Sequence, residues 1–130
     1  MQRKRFAIFS RGLALVLSLM LVLCVQVAFA DRPLKLLAIG NSFSEDAIEQ
    51  NLFELAAAAG HQMVIGNMYI GGCSLERHWG NAQSNKPDYD YRKIGIDGKM
   101  THTSNYTLDK ALRDEQWDYV SLQQVSQLSG

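Results

Sequence analysis

The sequence predicts an α/β domain in which helices cover a parallel sheet, and three stretches of the chain support this prediction. The apolar run Leu34 to Ile39 is typical of a strand buried on both faces. A helical pattern of apolar residues follows from Asp46 to Ala59, and a second strand pattern runs from Met63 to Ile70. A strand, a helix and a strand within about forty residues form a βαβ unit, whose two strands are parallel.

Residues 1–30 have the composition of an export signal. The basic region contains four positive residues, Arg3, Lys4, Arg5 and Arg11. The apolar stretch Gly12 to Phe29 follows, and Ala28-Phe29-Ala30 is an A-x-A cleavage site. An uncleaved anchor is the alternative, because this stretch is nearly long enough to span a bilayer. We expect cleavage, a mature chain that begins at Asp31, and a periplasmic or extracellular protein that contacts the membrane only through its export signal.

The charge of the mature part excludes one class of partner. The chain has 13 basic and 13 acidic residues, and residues 1–30 contain four of the basic residues and none of the acidic ones. Residues 31–130 therefore carry nine basic and thirteen acidic side chains, a net charge of −4. An acidic domain has no electrostatic footprint for nucleic acid. Cys73 is the only cysteine in this part, so we expect no internal disulfide and a buried thiol.

Helix signals flank the second strand of the βαβ unit. Ser44 is the expected N-cap of the first helix, and Gly60 is at the position where a helix-ending glycine belongs. After the second strand and Gly71-Gly72, the segment Leu75 to Ala82 is weakly helical.

The last third of the chain predicts a hairpin, a helix and a strand. The segment Pro87 to Asn105 is polar and aromatic and contains the turn signal Asp97-Gly98, which predicts an excursion such as a β-hairpin. A short helix is expected over Leu108 to Glu115, opening at Thr107. The segment Tyr119 to Gln123 is expected to form a third parallel strand.

The carboxyl ends of the three predicted parallel strands carry residues suited to acyl transfer. Ser42 follows the first strand, Gly71-Gly72 the second, and Gln123-Gln124 the third. In open parallel sheets, ligands bind in the crevice outside these ends. Acyl transfer needs a nucleophile and hydrogen-bond donors directed at the developing oxyanion. Ser42 is the candidate nucleophile, and the candidate donors are the amides of Ser42 and Gly72 and a glutamine side chain.

Three ordered blocks resemble the SGNH (GDSL-like) hydrolases, in particular an uncharacterised exported branch of that superfamily. The blocks are Leu37 to Ser44, in which Asn41 replaces the usual aspartate, Tyr69 to Trp79, and Trp117 to Gly130. The resemblance covers essentially residues 34–130. It implies a flavodoxin-like three-layer α/β/α fold with a parallel sheet, and hydrolysis of esters, in particular of acyl groups on carbohydrates, through an acyl-enzyme.

The resemblance also implies roles for particular residues. Ser42 matches the nucleophile and Gly72 the oxyanion glycine of the second block. In the third block an ungapped match places Gln127 opposite the oxyanion asparagine, whereas closeness to the strand end favours Gln124. Three further residues are candidates for substrate binding, namely Asn41, Arg77 and His78. The partner implied is a small-molecule or glycan ester.

No Asp-x-x-His motif, which supplies the base in the family's fourth block, occurs in this sequence. Residues 31–130 are therefore expected to form the N-terminal part of an SGNH-like domain, incomplete at the C-terminus. The alternative is a non-catalytic or vestigial protein that binds a glycan or a partner in the same crevice. His61, His78 and His102 lack the spacing of metal ligands, so no metal is predicted, and no cofactor.

Overall fold

The computed structural model of the chain describes residues 32–129. The export signal expected in residues 1–30, its cleavage site and the mature start at Asp31 lie outside these residues. Within residues 32–129 no helix has the length and apolar character needed to cross a bilayer.

A five-stranded mixed sheet forms the centre of the domain, in the order β4-β3-β2-β1-β5. The strands are β1 Leu34–Gly40, β2 Met63–Tyr69, β3 Tyr89–Ile94, β4 Met100–Tyr106 and β5 Tyr119–Leu122. β1 pairs in parallel with both β2 and β5, whereas β2 with β3 and β3 with β4 pair antiparallel. The prediction of an α/β domain is confirmed, and the expected βαβ unit and the hairpin are both present.

The expectation of a purely parallel sheet was wrong for the β3–β4 half. Tyr69, the last residue of β2, pairs with Asp90 near the start of β3. The chain therefore re-enters the sheet beside the end of β2 from which it left, so β3 runs in the opposite direction to β2. The hairpin predicted within Pro87 to Asn105 therefore extends the sheet by two strands, β3 and β4.

The helical segment after β1 has three parts: α1 Ser42–Ser44, a π-helix Glu45–Glu49 and α2 Leu52–Ala58. The expectation that Ser44 caps this helix was wrong. Asn41 is the capping residue, and its side-chain oxygen accepts a hydrogen bond from the Phe43 amide at 3.1 Å. Gly60 follows the helix with a φ of +81°, a left-handed conformation that suits glycine, as expected.

Two further helices pack near the sheet, α3 Leu75–Ser84 and α4 Leu108–Asp114. The Ser74 hydroxyl accepts from the Arg77 amide at the start of α3. The Thr107 hydroxyl accepts from the Lys110 amide at the start of α4, so the predicted opening of that helix is confirmed. Both caps satisfy amides that the first helical turn would otherwise leave unpaired.

Apolar side chains are buried on both faces of the sheet. One cluster joins the central strands to α4 and includes Leu37, Ile39, Met68, Tyr91, Leu108 and Ala111. The other joins Met63, Ile65 and Ile94 to apolar residues of α2 and its approach, Ile48, Leu52, Phe53 and Ala56. Cys73 is free and fully buried in the first cluster, as expected.

The strand β5 lies at one edge of the sheet and exposes apolar side chains. Tyr119 is 60% exposed and Leu122 is 65% exposed, and Val120 between them is exposed as well. Edge strands with exposed apolar side chains are prone to pair with other chains. We call Tyr119, Val120 and Leu122 the β5 edge.

Candidate active site

The three parallel strands end side by side. In the register of β1, Gly40 is opposite Tyr69 of β2 and Ile39 is opposite Leu122 of β5. Hydrogen bonds continue past the strand ends, since the Ile70 amide donates to Gly40 at 3.2 Å and the Gln123 amide donates to Ile39 at 3.1 Å. The predicted convergence of the Ser42, Gly71-Gly72 and Gln123-Gln124 segments at one edge is confirmed.

Ser42 is exposed between buried polar neighbours. It is the first residue of α1 and comes two residues after the end of β1, the middle one of the three parallel strands. Asn41, immediately before it, and Ser44, two residues after it, are each 1% exposed. Within residues 32–129 the Ser42 hydroxyl makes no hydrogen bond. The serine is therefore held on a fixed turn while its hydroxyl remains available to a ligand.

Asn41 links the three loops at the strand ends. Its side-chain nitrogen donates to the Cys73 carbonyl at 3.1 Å and to the Gln124 carbonyl at 3.3 Å. Its own amide donates to the side-chain oxygen of Gln123 at 3.4 Å. The Asn41 side chain is buried, and both its nitrogen and its oxygen are hydrogen-bonded within the protein. The structure therefore places Asn41 beneath the crevice rather than in it.

Gly72 lies on an exposed turn with a φ of +60°. A Cβ atom built on it would meet nothing within 4 Å, so the requirement for glycine here comes from the left-handed backbone. The amides of Gly72 and Ser42 donate no hydrogen bond to any described residue. Both candidate oxyanion donors are thus unpaired at the edge where the strands end.

The two candidate glutamines of the third loop have different surroundings. The Gln124 side-chain oxygen accepts from the Leu75 and Val125 amides, both at 3.0 Å, and its nitrogen donates to no described residue. Gln124 thereby joins the third loop to the start of α3. Gln127 lies in an exposed 3₁₀ turn, Ser126–Leu128. The structure therefore brings Gln124, and not Gln127, against the neighbouring loop of the crevice.

His78 faces the core, and Arg77 next to it faces solvent. His78 is 3% exposed, and its Nδ1 atom lies 2.9 Å from the Tyr89 hydroxyl and 3.5 Å from the Cys73 sulfur. Burial lowers the pKa of His78 and raises that of the Cys73 thiol, so both groups are held neutral. Arg77 donates to Asp88 at 2.9 Å on the surface. The structure does not bring His78 to Ser42.

The other two histidines are on the surface. His61 is exposed after Gly60, and His102 on β4 lies 3.3 Å from an Asp90 oxygen. None of the three histidines hydrogen-bonds to Ser42. Within the described part of the chain, no group of three or more His, Cys, Asp or Glu side chains could hold a metal ion.

A polar network that was not predicted from the sequence lies beneath the Ser42 turn. The Ser44 hydroxyl lies 2.9 Å from the Asn67 oxygen, and the Asn67 nitrogen donates to Glu49 at 2.7 Å. Arg92 of β3 binds the Glu49 carboxylate at 3.2 Å and that of Glu45 at 2.8 Å. The signal that could have revealed it is Asn67 itself, a polar residue inside the apolar strand β2.

The comparisons with known proteins assign a family. A family described as a domain of unknown function (DUF4886) matches residues 35–130. The chain belongs to the DUF4886 family. A search of curated proteins returns no match. The DUF4886 chain is similar to the crystal structure of a DUF4886 family protein from Bacteroides uniformis ATCC 8492, at 58% identity with a TM-score of 0.70. The match covers 72% of this chain and 36% of that protein, so this chain spans about a third of its length.

Proposed function

We propose that this DUF4886 chain is the nucleophile-bearing part of an SGNH-type serine ester hydrolase with a flavodoxin-like three-layer α/β/α fold. One observation carries the proposal. Ser42 is exposed beyond the carboxyl end of the middle parallel strand, and its hydroxyl makes no hydrogen bond to a described residue, whereas Asn41 before it and Ser44 two residues after it are each 1% exposed. A serine on a sharp turn between a strand and a helix is the arrangement that exposes a nucleophile in α/β hydrolases.

The proposed reaction has two steps. The Ser42 oxygen attacks the ester carbonyl, and the hydroxyl proton passes to a base while a tetrahedral oxyanion forms. The amides of Ser42 and Gly72 and the side-chain nitrogen of Gln124 donate to that oxyanion. The alcohol leaves with a proton returned by the base, and water then releases the acid from the acyl-enzyme by the same route.

We infer that the base is not among the described histidines, because none of the three contacts Ser42: His78 is buried against Tyr89, and His102 is paired with Asp90. The solved relative from Bacteroides uniformis is almost three times as long as the matched region, since the match covers 36% of it. The resemblance implies that the base is the histidine of an Asp-x-x-His motif. We place this motif in the part of the relative that the match does not cover. The complete reaction is therefore a proposal for the longer family members.

Acylated carbohydrates are the proposed substrate class. Trp79 on α3 is 65% exposed, one turn beyond Leu75, whose amide binds the Gln124 side chain. Phe43, next to the nucleophile, is 47% exposed. An exposed indole presents a flat apolar face with a polar edge, which suits contact with a sugar ring. Phe43 belongs to the Ser42 turn, and Trp79 belongs to the helix whose first residue binds Gln124.

A second candidate function is binding without turnover. The observation that favours it is that no described side chain is placed to take the Ser42 proton. A serine without a base is poorly activated. In this alternative the same crevice holds a glycan or a protein partner, and Ser42 is a contact rather than a nucleophile.

Ester hydrolysis by the longer Bacteroides uniformis relative separates the two candidates. Aryl acetates and acetylated oligosaccharides are the substrates, and the residue aligned with Ser42, which we expect to be a serine, is replaced by alanine. We expect loss of roughly 10³-fold or more in kcat/KM, as for other serine nucleophiles. The matched control replaces the residue aligned with Ser84, an exposed helical serine. Unchanged hydrolysis in the first variant would exclude Ser42 as the nucleophile, and saturable glycan binding without hydrolysis would favour the second candidate.

A further inference from the structure

Arg92 on β3 holds two carboxylates from the segment that follows the Ser42 turn. Its guanidinium lies 2.8 Å from Glu45 and 3.2 Å from Glu49. The side chains of Arg92 and Glu49 are 17% and 8% exposed, so this pair is largely removed from water. A buried charge requires such a partner, and removal of one member leaves the other uncompensated.

One arm of contacts leads from Arg92 to the residue before Ser42. Glu49 accepts from the Asn67 side-chain nitrogen at 2.7 Å, which directs the Asn67 oxygen toward Ser44. The Ser44 hydroxyl lies 2.9 Å from that oxygen and 2.8 Å from the Asn41 carbonyl, and its single proton serves either acceptor. Every residue between Arg92 and Asn41 in this series is buried, so the hydrogen bonds form one continuous buried network.

A second arm leads from Arg92 to the glycine turn. The guanidinium lies over the Tyr69 ring, 4.2 Å from its centroid, in a cation–π contact. The Tyr69 hydroxyl in turn lies against Gly71, 3.3 Å from the position that a Cβ atom would occupy there. The Tyr69 side chain therefore packs between Arg92 and the first glycine of the Gly71-Gly72 turn.

The carboxylates that Arg92 binds belong to the first and last residues of the π-helix, Glu45 and Glu49. π-Helices are rare; they occur mostly as single turns within α-helices, and frequently at functional sites. Arg92 spans this turn from one end to the other. The strand β3 that carries it is the antiparallel strand added to the parallel part of the sheet.

We propose that Arg92 is a positioning residue that holds the Ser42 turn and the Gly71-Gly72 turn in a fixed relation to each other. Asn41 joins the two turns through the hydrogen bond from its side chain to the Cys73 carbonyl. Arg92 contacts Glu49 and Tyr69, which lead to one turn each. The hairpin thus supplies the guanidinium that makes the two loops one unit. The effect on reactivity rests on the proposed function, whereas the effect on the geometry of the turns does not.

Lys93, the next residue of β3, provides a matched control. Its ammonium group binds Asp114 at 2.8 Å and Glu115 at 2.6 Å, and its side chain is 23% exposed. Lys93 therefore makes the same number of ion pairs from the same strand, but to α4 and its end rather than to the π-helix. Its replacement removes a comparable interaction without touching either turn.

Amide hydrogen exchange in the full chain measures the positioning directly. The Ser44 amide donates to Asn41 at 3.0 Å, and the Cys73 amide donates to Ile70 at 3.2 Å, so each reports on one turn. We expect Arg92→Met to accelerate exchange at both amides by about tenfold, and Lys93→Met to accelerate neither. Unchanged exchange in Arg92→Met, or equal acceleration in Lys93→Met, would overturn the proposal.

Two milder variants test the arms separately and keep the proposal testable if Arg92→Met does not fold. Glu49→Gln keeps the shape of the side chain and removes its charge, so we expect faster exchange at Ser44 alone. Tyr69→Leu removes the ring and hydroxyl beneath Gly71, so we expect faster exchange at Cys73 alone. If each change loosens both turns equally, or neither, the two-arm arrangement is wrong.

Kinetics of the longer relative add a readout that a purely structural role would not move. The substitution aligned with Arg92→Met should lower kcat for ester hydrolysis by about tenfold with little change in KM, and Arg92→Lys should restore part of it. If the Arg92 and Lys93 variants changed kcat and KM by the same factors as each other, a positioning role for Arg92 would be contradicted. If the unmodified relative hydrolyses no ester, the proposed function fails, and the exchange result still decides whether Arg92 positions the turns.

Discussion

The side-chain amide of Asn41 donates a buried hydrogen bond to the carbonyl oxygen of Cys73, 3.1 Å away and 32 residues later in the chain. This bond ties the turn that presents Ser42 to the turn that presents Gly72. The same nitrogen reaches the Gln124 carbonyl at 3.3 Å, so one side chain fixes all three candidate site loops. Asn41 thus determines the shape of the crevice from beneath it.

Asn41→Asp should destabilise the protein by about 3 kcal/mol, because a carboxylate would face two carbonyl oxygens with no proton to donate. Urea unfolding near neutral pH measures the loss. Asn51→Asp is the matched control, since the Asn51 side chain also donates to a carbonyl, that of Asp46 at 2.6 Å, but on the exposed surface. Equal free energies of unfolding for the two variants would show that the Asn41 bonds contribute little.

Gly40→Ala should destabilise the protein by about 1–3 kcal/mol through overpacking. An added Cβ would lie 2.6 Å from the Ser44 hydroxyl oxygen and 2.7 Å from the Gln123 side-chain oxygen. Gly80→Ala, in the open middle of α3, is the control, and we expect it to stabilise by about 0.5–1 kcal/mol. Thermal unfolding distinguishes them, and a stabilised Gly40→Ala variant would refute the close packing beneath Ser42.

His78 should make the protein less stable as the pH falls below about 6.5, the ordinary pKa of histidine. Burial lowers the pKa of His78 in the folded state, so below that pH the unfolded chain binds a proton that the folded chain does not. Stability is then lost progressively until the folded pKa is reached. The free energy of unfolding, measured from about pH 8 to about pH 5, should fall less steeply in His78→Gln. Parallel curves for the two proteins would contradict a neutral, buried His78.

The β5 edge should promote association of this chain. Leu122→Lys places a charge on the exposed edge strand, and we expect it to raise the concentration at which the chain associates by about tenfold. Leu55→Lys is the control, because Leu55 is also 65% exposed but lies on α2. Sedimentation or size-exclusion measurements over a range of concentrations test this. Equal shifts in the two variants would show a general charge effect.

Local patterns were sufficient to predict much of the fold. The apolar run Leu34 to Ile39, the glycine at position 60 and the cap at Thr107 each depend on a few neighbouring residues, and each is in the predicted place. The meeting of the three loops also followed from the sequence, because the carboxyl ends of parallel strands lie at one edge of a sheet.

The remaining features depend on contacts between residues far apart in the chain. Ser44 has the composition of an N-cap, but Asn41 caps the helix, and Ser44 bonds instead to Asn67 on β2. His78 follows a site loop closely, yet its helix turns it toward Tyr89. The π-helix is stabilised in part by Arg92, some 43 residues beyond Glu49. Spacing along the sequence carries no signal for such partners.

Covalent labelling of the longer Bacteroides uniformis relative with a fluorophosphonate, followed by mass spectrometry of its peptides, tests the central claim most directly. An activated serine nucleophile attacks the phosphorus and displaces fluoride, whereas ordinary surface serines do not react. We predict that the residue aligned with Ser42 is a serine that carries the only adduct, and that no adduct forms when it is replaced by alanine. A folded protein that carries no adduct, or carries it on a different residue, would contradict the assignment of Ser42 as the nucleophile.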